Sequence, residues 1–136
     1  MSWKLVFGLS LFGMAMAIGT VFFIPSNIEP IFWLAVFILS AVLIAKNAPG
    51  WHFLHGLMTG IANSVWVTAA HILLFNRYIA SHPREQAMMS SMPLPNSPRM
   101  MMTLVGPVIG VVSGAIIGLL ALVFARFVSP RKATAV

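Results

Sequence analysis

The sequence predicts an all-α fold: an integral membrane four-helix bundle whose four transmembrane helices run up-down-up-down. Three observations predict it. Of the 136 residues, 60% are hydrophobic and only 7% charged, with a mean hydropathy of +0.96; soluble domains carry about 25% charged residues. Four long apolar runs each approach or exceed the ~20 residues that cross a bilayer core as a helix. The breaks between them are rich in Pro and Gly and too short for a second folded unit. Residues 1–136 therefore read as a single transmembrane domain with spans at about 3–24, 27–46, 51–79 and 98–128 and an extramembrane loop at 80–97.

The first span, from Trp3 to Ile24, is uncharged inside and ends at "IPSNIEP". Lys4 followed by an apolar run and Ala15-Met16-Ala17 resembles a secretory signal with its cleavage site. The apolar stretch continues to Ile24, however, which suits a full span better. In the second span, from Asn27 to Lys46, Ser26 and Glu29 have capping-box spacing. Pro30 fits the first turn, where amides lack intrahelical partners. This spacing gives Glu29 a structural reason to be present.

"KNAPGW" then breaks the chain sharply at Pro49 and Gly50, which forces spans two and three into a tight antiparallel hairpin. Span three, from Trp51 to Ile79, is longer than the ~30 Å hydrocarbon core at ~1.5 Å per residue and is expected to tilt or protrude. "SHP" stops it. Pro93, Pro95 and Pro98 exclude a continuous helix over the following loop. Ser97 is then a natural N-cap for span four, with Pro98 at its first helical position. Pro107 is expected to kink this span, and Ser129-Pro130 to end it.

Trp3, Trp33, Trp51 and Tyr78 fall near span ends, as an interfacial aromatic belt would place them, while Trp66 is mid-span and reads as a packing residue. Four spans put both termini on one side. That side carries Lys4, Lys46, Arg126, Arg131 and Lys132, against Arg77, Arg84 and Arg99 on the other, which favours cytoplasmic termini in a multi-pass cell-membrane protein. The net charge of +6 is scattered over segment ends and forms no stripe for a nucleic acid. With no cysteine in the chain, disulfides and thiolate metal sites are excluded.

Gly106, Gly110, Gly114 and Gly118 recur at every fourth position of span four. Residues four apart share one helix face, so the glycines form a groove without side chains. In lipid, helices associate through close van der Waals contact, which small residues permit. The stripe is therefore expected to dock another helix. Gly56 and Gly60, continued by Ser64, offer a matching surface on span three, and Gly8, Ala15 and Gly19 offer one on span one. A second copy of the chain is the alternative partner.

Span three is the polar one. His52, His55, Thr59 and Asn63 fall within about 60° on a helical wheel, with His71 on the adjoining sector. Leu54, Met58, Ile61, Val65, Ala69 and Ile72 hold the opposite side, expected to face lipid. Interhelical packing accounts for the polar set, and intramembrane polar residues are also the default place to seek a function.

His52 and His55 could offer two imidazoles to a metal, but no carboxylate or cysteine stands beside them as a third ligand, although Met14, Met16 and the loop methionines could offer soft sulfur to copper. A b-type haem would need His71 paired with its twin in a dimer. Proton coupling lacks a buried carboxylate, because Glu29 and Glu85 both sit at or outside the span boundaries. Ser64 and His71 lie about two turns apart, too far for a nucleophile and its base. No nucleophile elbow or zincin motif is present.

The expectation is a non-enzymatic, oligomerising or accessory membrane component with no cofactor and no metal, whose partners are the lipid bilayer and further copies or a larger membrane complex. The alternative is a small homo-oligomeric channel or transporter lined by the polar face of span three. A metal- or haem-binding membrane subunit stands third.

Overall fold

The structure, a computed structural model, describes residues 1–128. Among the described residues the fold is all-helical: α1 (Trp3–Phe22), α2 (Glu29–Asn47), α3 (His52–Leu73), α4 (Phe75–Ser81), α5 (Pro83–Met88) and α6 (Pro98–Ala125), with a short 3₁₀ turn at Met89–Ser91. Four of these, α1, α2, α3 and α6, are long and apolar enough to cross a membrane. Ser129-Pro130, Arg131 and Lys132 lie outside the described residues.

The directions of the long helices follow from their contacts. Near one end the Ser2 amide donates to His55 Nε2 (2.8 Å), and near the other Thr20 Oγ1 meets His71 Nε2 (2.9 Å), so α1 and α3 run parallel. Gly118 lies against Phe53 and Gly106 against Thr68, so α6 runs antiparallel to α3. α2 closes the far side: Ala41 and Ile44 pack with Leu9 of α1 and with Ile117 and Ala121 of α6 in one buried apolar cluster. The α2–α3 turn is tight, with Gly50 at φ 155° and Trp51 left-handed at φ 55°. That conformation aims the Trp51 carbonyl at the His55 amide (3.0 Å) and opens α3.

Three expectations need correction. Ser26 and Glu29 do not form a capping box: α2 starts at Glu29 with Ile28 at its N-cap and no side-chain cap bond. Ser26 lies two residues upstream of the N-cap, and its hydroxyl donates instead to Glu85 Oε2 (2.8 Å). Span three is not one helix to Ile79, because the chain breaks at Leu74, where φ is −107° and ψ 31°. Seven residues of unbroken helix would separate His71 from Tyr78 by about 10 Å along the axis; the break brings their rings to 3.9 Å. Tyr78 is therefore buried between two histidines and does not belong to an exposed aromatic belt.

The loop expected at 80–97 holds α5 and the 3₁₀ turn. Ser97 is the N-cap of α6 and Pro98 follows it, but the serine side chain makes no cap bond. α6 remains helical through Pro107. On the face of α3 expected to be bare, Val65 and Ala69 are exposed, whereas Leu54, Met58, Ile61 and Ile72 are half-buried.

Candidate functional site

The glycines of α6 meet α3 of the same chain. A Cβ built on Gly60 would collide with the Gly114 backbone and the Gly110 carbonyl, and one on Gly56 with the Gly118 backbone. Gly106 is covered by Thr68, Gly110 by Ser64, Gly114 by the Leu57 backbone and Gly118 by Phe53. Helices this close leave no space along the seam for another helix.

The polar residues of α3 divide into two groups. At the end near Ser2, His55 uses both ring nitrogens: Nε2 accepts from the Ser2 amide, and Nδ1 meets the Trp51 carbonyl (3.0 Å). Thr59 returns its hydroxyl to the His55 carbonyl (2.7 Å) and is fully buried. His52 is half-buried. Neither nitrogen of His55 is free for a metal, and among the described residues no group of three or more His, Asp or Glu is placed to hold one.

The second group lies toward the other end, where α3 gives way to α4. His71 Nε2 meets Thr20 Oγ1 while that hydroxyl donates to the Ala17 carbonyl (3.2 Å), so the imidazole serves as the donor. Tyr78 is sandwiched between the rings of His71 and His82, at 3.9 and 4.2 Å. His82 is fully buried, with Nδ1 on the Tyr78 carbonyl (2.9 Å) and Nε2 3.5 Å from Glu29 Oε2. Glu29 also accepts from Trp33 Nε1 (3.0 Å). Burial, followed by the nearby Glu29 and Glu85 carboxylates, pushes the Tyr78 phenol above its ordinary range and keeps it protonated.

His71, Tyr78 and Trp33 of this cluster line a half-open cavity of about 460 Å³ between α2, α3, α4, α5 and α6. Its remaining walls are mainly apolar and rich in methionine, with Met89, Met92, Met101 and Met102 among them. Asn63 lies in the cavity wall, 3% exposed, and neither atom of its amide has a hydrogen-bond partner. A more open recess holds Glu29 and Arg84 and shares Trp33, Phe37, Tyr78 and Glu85 with the cavity.

Of the five polar residues singled out in the sequence, Asn63 and His71 thus share the cavity, while His52, His55 and Thr59 do not line it. Sequence reasoning missed His82, Tyr78 and the convergence of Glu29 with Glu85. One signal was available: these are the only two acidic residues of the chain, and each flanks a Pro-containing break. The chain matches no known protein family, no curated protein and no solved structure.

Proposed function

We propose that the chain is a multi-pass integral membrane protein: a four-helix bundle in up-down-up-down order with cytoplasmic termini, acting as a non-enzymatic accessory component of the cell membrane. The observation that carries this reading is the outer surface of the four long helices. Phe7 is 63% exposed, Ile31 67%, Val65 62% and Val108 61%, one on each helix. Large apolar side chains exposed on the outer face of each long helix suit lipid, whereas soluble proteins keep such patches small. The interior supports a chain that completes its own core, because the glycine stripe and most of the α3 polar face are covered within one copy. Any association with further copies or a larger complex would then use the outer faces.

The chain has no native cysteine, so single cysteines at Ser2, Asn47 and Ser90 can report topology by labelling with a membrane-impermeant maleimide in intact cells. The reading expects Ser90→Cys to label from outside and Ser2→Cys and Asn47→Cys to label only after lysis. Labelling of all three in intact cells, or recovery of the protein in the soluble fraction, would overturn it.

A further inference from the structure

We propose that the cavity between α2, α3, α4, α5 and α6 binds an organic cation, a quaternary or protonated amine carrying an apolar body. The inference goes beyond membrane residence and does not rest on it. It begins with charge. A chain of net charge +6 has only two acidic residues; the fold brings both to the recess at the cavity mouth from different helices, and Glu85 also lines the cavity itself. Among the described residues neither carboxylate is paired with lysine or arginine; Glu29 has His82 at 3.5 Å. Arg84 lines the outer recess beside them and is itself exposed. Glu85 accepts one hydrogen bond, from Ser26, and a carboxylate can accept about four. Its acceptor capacity is therefore largely open.

The rings around it suit the same ligand. Trp33 and Phe37 line both the cavity and the recess together with Glu85, while Tyr78, its two faces covered by His71 and His82, adds only its edge. Aromatic faces beside a carboxylate are the usual receptor for an ammonium group, which binds the negative face of the ring. The methionines of the lining supply a flexible, polarizable surface that adapts to an irregular apolar body. The volume of about 460 Å³ lies within the ~300–1,000 Å³ typical of small-molecule sites.

An anion would instead face the Glu85 carboxylate, with Arg84 in the adjoining recess as the one cation beside it.

The test uses full-length protein in a nonionic detergent, with methyl-labelled methionine read by NMR. The probes are benzyltrimethylammonium, its uncharged isostere neopentylbenzene, and phenylmethanesulfonate. The proposal expects benzyltrimethylammonium to shift the methyls of Met89, Met92, Met101 and Met102 saturably, at least tenfold more tightly than neopentylbenzene, with phenylmethanesulfonate weakest. Glu85→Gln, at wild-type helicity, should weaken the cation at least tenfold and leave neopentylbenzene unchanged. If that variant does not fold, the charge series on the wild-type protein decides alone. Absence of shifts at these methyls in folded protein, or equal affinity for the cation and either other probe, would overturn the proposal. The cysteine-labelling result for membrane topology stands apart from either outcome.

Discussion

Gly60→Ala tests the α3–α6 seam with one methyl group. The atoms that the new Cβ would meet are the Gly114 Cα and N and the Gly110 carbonyl oxygen. All belong to backbone, so no rotamer change can make room and the two helices must move apart. Gly8→Ala on α1 is the matched control, because a Cβ there meets nothing within 4 Å. Both substitutions carry the same intrinsic helix gain of about 1 kcal/mol over glycine, which cancels in the comparison. What remains is the cost of overpacking, typically about 1–3 kcal/mol and occasionally more. Rigid backbone on the opposing side puts the expected difference near the top of that range, at about 3 kcal/mol. Unfolding in graded denaturing detergent, followed by helical circular dichroism, would read it. Equal stability of Gly60→Ala and Gly8→Ala would refute the seam as described.

Two further perturbations probe the cluster beside the cavity. Thr20→Val preserves the shape of the side chain but strips His71 of its partner, and should cost about 1–3 kcal/mol in the same unfolding assay. Tyr78 is the only tyrosine, so alkaline absorbance titration reports it alone. Its folded-state pKa is raised, so tyrosinate should appear only above the ordinary pKa of about 10. The stability that this shift contributes is present in full below about pH 10 and is lost as pH climbs toward the folded-state value. An ordinary titration near 10 in folded protein would contradict the buried placement.

The parts of the fold legible in the sequence are those set by local composition. Uncharged runs of span length between Pro and Gly breaks located the four long helices to within a few residues at most of their ends. Gly56, Gly60 and Ser64 could be recognised as a surface for the α6 stripe because spacing by four places residues on one helix face. The helix break at Leu74 left no such trace, for "HILLFNRY" contains neither glycine nor proline. It is associated with the stacking of His71 on Tyr78, a contact that depends on the folded arrangement.

The candidate site was hidden for the same reason. Ser26 and Glu29 have the spacing of a cap, and only the position of α5 shows that Ser26 serves Glu85 instead. Tyr78 near a span end resembles an interfacial residue until the histidines on either side of it are seen. Local signals describe helices well. They are silent on which helix end meets which.

The central claim is that the glycine stripe of α6 is consumed within one chain. Mass and helicity of the purified protein in mild detergent, for wild type and for Gly110→Leu with Gly114→Leu, test it together. Leucines at these positions would be driven into Ser64 and the Leu57 backbone, so the account predicts a double variant that loses helical structure or stability. A double variant that keeps its fold and changes only from oligomer to monomer would contradict the account and place the stripe between copies.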